Sequence, residues 1–378
     1  MANVFSRVIE ERGLFKDERF LYPEFIPEKL PHREKEIETI ASCLKPLAEE
    51  RKGRNLFISG TTGIGKTACV KYVLRELEDY TSKAKGHYIN CFQTNTKYGI
   101  LSEITNFMGF PLPRRGLSSD EAYAKIKEAA GKCGFMPIVV LDEFDRSIAK
   151  GEGSELLYDL LRIAEFGKKP FTVVLISNDE GLTSKLDDRV RSSLMAENMK
   201  FEAYSPLQLK EILAERCGLA FHDDIVEKDS IALAAAHSAK LGGDARVAIG
   251  SLLAAGRIAQ KENAKSLRPE HLRKAFEKVD AASVLKAIPF LTATEGEMLE
   301  VIAKNDGITS GELYCIIDRN WKNPPGERMK REIIEKLIGL RVIKAEEISL
   351  GNRGKTRKIK LNASPKAVLE KLGKEAGK

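Results

Sequence analysis

Between Asn55 and Ala68 an apolar run, Asn55-Leu-Phe-Ile-Ser59, passes without a linker into Gly60-Thr61-Thr62-Gly63-Ile64-Gly65-Lys66-Thr67-Ala68. Three glycines at this spacing let a buried strand turn tightly into a helix, the local signature of a parallel α/β sheet. The same loop gathers backbone N–H groups at a helix N-terminus, where their donors and partial positive charge suit phosphates. Lys66 is expected to reach the β and γ oxygens of ATP, and the Thr67 hydroxyl to hold Mg²⁺. ATP, its product ADP and Mg²⁺ are therefore the expected cofactors. The alternative, a glycine-rich surface turn, accounts poorly for the strand and helix that flank the loop.

Further apolar runs repeat the strand signature. His87 to Cys91, Pro137 to Leu141 and Phe171 to Ser177 are rich in Val, Ile and Phe and are separated by helical patterns. Residues 1–202 thus read as an N-terminal linker and an α/β base domain. From 203 to 283 the strands stop, and patterns such as Ser205 to Arg216 and Asp229 to His237 predict an all-helical domain. A break at Pro289 marks the next boundary, and residues 284–378 carry three short helical patterns followed by Ile348-Ser-Leu-Gly-Asn-Arg-Gly-Lys-Thr-Arg-Lys-Ile-Lys-Leu361. That last segment alternates about a Gly-Asn-Arg-Gly turn, as a β-hairpin does. Three helices and a basic hairpin describe a winged helix, a variant of helix-turn-helix.

Bulk properties narrow the class. The six cysteines are scattered with no C-x-x-C pair, and neither a secretory signal nor an eighteen-residue apolar run is present. The expectation is a reduced, soluble, cytoplasmic protein with no membrane partner. Net charge is +7, and residues 284–378 hold 19 Lys+Arg against 13 Asp+Glu, so a polyanion partner is sought at that end. A solvated lysine-rich tail is the competing explanation.

Hydrolysis needs a metal holder and a group that acts on water. Ile138-Val-Val-Leu-Asp-Glu-Phe-Asp145 sets two carboxylates just past an apolar strand, where α/β sheets present ligands. Asp142 is expected to hold Mg²⁺ and Glu143 to polarise the attacking water. Asn178, at the end of a further strand, either positions that water or simply forms a turn. Arg246 either reports phosphate state to the helical domain or pairs with Asp244. Arg189 and Arg191 are either surface arginines or fingers that act across a subunit boundary.

At the C-terminal end, Pro325 to Ile338 is the expected recognition helix. Met329, Ile333, Ile334 and Leu337 are expected to form its apolar face, with Arg328, Lys330 and Arg331 off it and towards DNA. The wing from Ile348 to Asn362 carries Arg353, Lys355, Arg357, Lys358 and Lys360 and no acid, which suits a groove lined by phosphates.

Together these motifs resemble AAA+ ATPases. More specifically, Phe25-Ile-Pro-Glu-Lys-Leu-Pro-His-Arg-Glu34, Leu186-Asp-Asp-Arg-Val-Arg-Ser-Ser-Leu194 and Gly243-Asp-Ala-Arg-Val-Ala-Ile249 resemble archaeal replication initiators. These are single-chain relatives of the eukaryotic origin recognition complex and its helicase-loading partner. The resemblance spans about residues 20 to 361 and implies an AAA+ base, a helical lid and a winged helix. It implies that Ile26, Pro27 and Arg33 pack around adenine and ribose, and that Tyr204 and Arg216 contact nucleotide from the lid side. It implies that Asn106 to Asp120, with Arg114 and Arg115, is an initiator motif touching DNA backbone; without the resemblance this is a Pro/Gly-rich loop. One departure is Ser192-Ser193, where many relatives outside the archaea carry Ser-Arg. The implied function is a weak ATPase acting as a nucleotide switch on double-stranded origin DNA in the nucleoid. Its implied partners are the replicative helicase and further copies or a paralogous initiator. Two other readings stand beside it: a branch-migration motor, and a DNA-binding regulator that retains ADP.

Overall fold

The computed structural model describes residues 13–112, 119–149, 151–166, 171–340, 342–349 and 355–373. They form two compact units. One comprises Arg19–Ala220 with Ile231–Ile249, and the other the described residues up to Glu18, Phe221–Ser230 and those from Gly250 onward.

In chain order the first unit begins with α1 (Glu34–Leu44), β1 (Leu56–Ser59), α2 (Lys66–Tyr80), β2 (Ala84–Asn90) and α3 (Lys97–Phe107). It continues through α4 (Ser119–Lys132), β3 (Met136–Asp142), α5 (Asp145–Ala149), α6 (Gly153–Phe166), β4 (Thr172–Ser177), α7 (Asp188–Leu194) and β5 (Glu197–Lys200). The five strands are parallel in the order β2-β3-β4-β1-β5. Alternation along β3 explains its uninterrupted apolar sequence. Val139 and Leu141 enter a core with α3, α4, α6 and α7, while Ile138 and Val140 enter a second core with α1 and α2. Both faces are covered, so no polar alternation survives. The fifth strand escaped the sequence reading because Glu197-Asn-Met-Lys200 buries only Met199 and pairs on one side alone. Register sets Ser59 level with Ser177 and Asn90 level with Asp142, so the strands end together at one rim.

Helices follow the sheet, as expected: α8 (Pro206–Ala220), α9 (Lys228–Lys240), α10 (Ala245–Lys261) and α11 (Pro269–Ala287). The last of these runs on through residue 284, and the chain turns only at Ile288–Phe290, where Pro289 cannot continue the helical hydrogen bonding.

The C-terminal elements are α12 (Ala293–Lys304), α13 (Ser310–Asn320), α14 (Glu327–Gly339), β6 (Ile343–Ser349), β7 (Lys355–Leu361) and α15 (Pro365–Lys371). Both α12 and α13 open on Thr capping boxes, Thr292 with Glu295 and Thr309 with Glu312. The two strands form an antiparallel hairpin, and Thr309 adds a bridge to Lys358, giving the three helices and wing of a winged helix. Its core joins Met298, Leu299, Ile302, Leu313, Ile317, Ile333, Ile334, Leu337, Ile359 and Val368.

Candidate nucleotide site and nucleic-acid surface

The glycine loop occupies the rim where β1, β3 and β4 end. Gly63 (φ 73°) and Gly65 (φ 95°) take left-handed backbone that side chains disfavour. Space excludes side chains there too: a Cβ on Gly63 would lie 1.7 Å from Asp244 Oδ1, and one on Gly65 2.8 Å from the Tyr204 hydroxyl. The first bond of α2 runs from Cys69 N to Gly65 O, so the amides of Lys66, Thr67 and Ala68 have no partner within the helix. They are the donors that a phosphate would accept.

Lys66 is buried, and its ammonium donates to Gly60 O (2.7 Å), Thr61 O (2.6 Å) and Asn178 Oδ1 (3.0 Å). Burial lowers its pKa to about 8, with Asp142 acting in the opposite sense. Thr67 Oγ1 donates to Asp142 Oδ2 (2.6 Å), Tyr88 OH donates to the same oxygen (2.8 Å), and Glu143 N donates to Asp142 Oδ1 (2.8 Å). A hydroxyl and a carboxylate in contact are hard oxygen donors that fit Mg²⁺, which takes one or two protein ligands and completes its shell with phosphates and water. Among the described residues no cluster of three or more His, Cys, Asp or Glu would hold a metal by itself. Glu143 sits at φ 54°, and burial, followed by the neighbouring Asp142 carboxylate, raises its pKa.

Two acids to which the sequence reading gave no part in this centre shape it. Asp145 Oδ1 accepts from Ser177 Oγ (3.0 Å) and from Asn178 N (3.2 Å), tying the β4 end to the start of α5. Asp244, buried at the start of α10, receives Arg246 N (2.9 Å), while Ala245 N donates to Gly63 O (3.0 Å). Asp145 closes the run quoted for its strand-end acids, so its helix-starting position was a signal; Asp244 was read only as a partner for Arg246, and its closeness to Gly63 came from the fold. Of the two options for Arg246, the structure displays the pair with Asp244 (3.5 Å), with the guanidinium largely in solvent. Arg189 and Arg191 are exposed on α7, and Arg191 pairs with Asp188.

The residues expected around adenine hold protein atoms. Arg33 is buried; it donates to Ile64 O (3.2 and 2.8 Å), Glu202 O (2.7 Å) and Tyr204 OH (3.1 Å), and pairs with Glu36 (2.6 Å). It thereby braces the phosphate loop from below. Arg216 donates to Phe20 O (2.9 Å) and Phe25 O (3.2 Å) and lies over the Phe25 ring, so α8 anchors the segment that contains Ile26 and the buried Pro27.

The winged-helix surface departs from expectation in three respects. Lys330 does not face solvent: its side chain is buried, pairs with Asp318 and lies over the Tyr314 ring. Met329 is instead half exposed, because the inward stripe of α14 runs Lys330, Ile333, Ile334, Leu337 at helical spacing. The cations of the outer face are answered by acids: Arg328 by Glu332 (2.9 Å), Arg331 by Glu327 (3.4 Å) and Arg357 of β7 by Glu335 (2.5 Å). Third, the hairpin begins at Ile343, so Glu346 stands opposite Lys358 and Glu347 opposite Arg357, and the wing is not free of acid. Lys344, Lys358 and Lys360 share the face opposite Ile343, Ile359 and Leu361. Arg114, Arg115 and Arg353 lie outside the described residues, and for Lys355 only the backbone in β7 is described.

Residues 49–186 match the model of an AAA domain, and residues 210–277 that of a Cdc6 AAA+ ATPase-type lid domain. The chain is 35% identical over 383 residues to ORC1-type DNA replication protein 1 of Archaeoglobus fulgidus, covering 98% of this chain and 93% of the relative. Among solved structures it is similar to the Aeropyrum pernix ORC1 protein in complex with DNA, with TM-score 0.75, 31% identity and 96% and 97% of the two chains covered. It is also similar to the Aeropyrum pernix ORC2 protein in ADPNP–ADP complexes, with TM-score 0.71, 25% identity and 96% and 98% covered. A P-loop sheet, a matched lid and near full-length identity above 30% agree: the chain belongs to the family of ORC1-type DNA replication proteins, which are AAA+ ATPases.

Proposed function

We propose that this chain is an ATP-dependent initiator that binds double-stranded origin DNA and helps to recruit or load the replicative helicase, with slow hydrolysis resetting its state. The observation that carries the reading is the hydrogen-bonded set Lys66, Thr67, Asp142 and Asn178 at one strand rim. Loop amides and Lys66 bind the phosphates. Thr67 and Asp142 would hold Mg²⁺, which neutralises charge on the phosphate oxygens. Glu143, with its raised affinity for a proton, accepts one from water, and Asn178 orients that water. Arg246 reads the phosphate end from the lid, and Arg189, exposed on α7, serves a neighbouring copy or a paralogous initiator. Ile26, Pro27, Arg33, Tyr204 and Arg216 shape the base pocket by bracing its walls.

Coupling to the lid rests on Gly63 O, which receives Ala245 N, so a phosphate-driven shift of the loop is felt at the start of α10. DNA is gripped by Arg328, Arg331 and the wing cations Arg353, Lys355, Arg357 and Lys358, with Arg114 and Arg115 adding backbone contacts. The division at 202 and 283 into base, lid and winged helix is the framework for this switch. The similarity to an ORC1 protein in complex with DNA supports the DNA partner, and that to ADPNP–ADP complexes supports the nucleotide. As a test, Glu143→Gln is expected to retain ATP and lose turnover, with duplex affinity, read by fluorescence anisotropy, held at its ATP-state value. Turnover equal to wild type would reject the role of Glu143, and duplex affinity indifferent to nucleotide would reject the switch.

A further inference from the structure

The Asp142 carboxylate is met by donors from three parts of the chain, and one of them has no place in the chemistry described so far. In the parallel register β2 pairs Asn90 with Asp142 and Tyr88 with Val140, so Tyr88 and Asp142 project from the same face of the sheet. Tyr88 OH lies 2.8 Å from Asp142 Oδ2, the oxygen that also receives Thr67 Oγ1. On α2, Lys71 lies one turn beyond Thr67, and its ammonium sits 3.9 Å from the Tyr88 ring centroid. Thr67 and Lys71 therefore engage Asp142 and Tyr88 respectively from one helix face. A cation over the ring draws electron density from the phenol and strengthens its O–H as a donor. The Asn90 side chain bonds to the phenol as well, and burial holds its pKa above the ordinary value, so at neutral pH Tyr88 is a neutral donor.

We infer that Tyr88 is a positioning residue for the Mg²⁺ site, fixing the rotation of the Asp142 carboxylate so that Oδ2 stays beside Thr67. Oδ1 is occupied by Glu143 N, so without Tyr88 the Thr67 hydroxyl, itself a metal-ligand candidate, is left as the one restraint on Oδ2 among the described residues. Partners that orient a ligating carboxylate change metal affinity by about 10–100-fold when removed. The inference rests on the proposed Mg²⁺-nucleotide reading of the site and deepens it.

The test is Tyr88→Phe in the full chain, which removes one oxygen and keeps the ring. Binding of a fluorescent ADP analogue is titrated with Mg²⁺, beginning from EDTA. Affinity in EDTA and unfolding temperature without nucleotide are expected to match wild type, while the Mg²⁺ concentration at half effect rises about tenfold. Lys71→Met is expected to shift the Mg²⁺ midpoint in the same direction by less. A midpoint for Tyr88→Phe within about twofold of wild type, against that expected tenfold, overturns the inference. Equal loss of affinity in EDTA and in Mg²⁺ also overturns it, by showing a general packing role. Asp142→Asn separates the two levels: if it moves the midpoint and Tyr88→Phe does not, only the Tyr88 assignment fails, whereas if neither moves it the Mg²⁺ reading fails as well.

Discussion

Lys66 at the phosphate loop and the arginines of α14 are cations of the same formal charge in opposite settings. Lys66 is enclosed and held by two loop carbonyls and an amide oxygen, none of them charged. Arg328 and Arg331 lie in solvent, each answered by a glutamate one turn away. An enclosed ammonium without a bonded counter-ion is costly and gains most from an arriving polyphosphate. A solvent-exposed ion pair contributes little and is exchanged at little cost, so phosphates of a duplex can displace its acid. The first setting suits one small ligand, the second the repeating polymer proposed as its partner.

The largest expected effect attacks the enclosed cation. Lys66→Ala is expected to weaken ADP binding about 100-fold, from loss of charge-assisted bonds in a buried site, read by calorimetric titration. Retained affinity would make the loop ornamental and erase the contrast. Next is the support beneath the exposed cations: Leu337→Ala, in the winged-helix core, should cost about 2–5 kcal/mol in a denaturant titration. It should weaken DNA binding without altering nucleotide affinity measured on the folded protein.

A pH experiment sharpens the comparison. The Lys66 pKa is lowered from 10.5 to about 8 by burial, so the free protein loses this charge as pH rises through about 8. Bound phosphate favours the ammonium, so above that pH binding must take up a proton, and affinity should fall by up to about tenfold per unit. Below it the affinity should be flat. On the folding side the unfolded lysine binds more protons between 8 and 10.5, so this residue's burial penalty is present below 8 and is relieved as pH climbs through that window. Titration of ADP at pH 7 and 9 in buffers of different ionisation heat would read the proton directly.

Smallest is the expected effect of the paired arginines. Each bare cation meeting a phosphate adds about 0.9 to the slope of log affinity against log salt. Since Arg328 and Arg331 must first leave Glu332 and Glu327, their alanine variants should each change the slope by less than about 0.9. A full unit for either would show that the glutamates do not compete with DNA.

Much of this was legible in the chain. The loop at Gly60 to Thr67, the apolar runs that became β1 to β4, and the alternation of the hairpin strand β7 are recognised by neighbours in sequence, because turn geometry and period are local properties. Helical spacing also gave Ile333, Ile334 and Leu337 their inward face. Spacing alone places Lys330 on that stripe too, and it was charge that set it outside; Asp318, twelve residues away on another helix, made burial tolerable.

What the sequence alone determined, then, is the class: an α/β nucleotide-binding base, a helical stretch and a winged-helix end, together with the residues that form the loop and its strand-end acids. Tertiary structure decided which cations are available. It turned Arg33 and Arg216 into braces, set Asp145 beneath Asn178 and Tyr88 beside Asp142, and brought Glu346 and Glu347 into the wing. The physical reason is range. Strand, turn and helix signals act over a few residues of chain, whereas the partner of a charge is whatever the fold brings within about 4 Å, at any separation along the sequence.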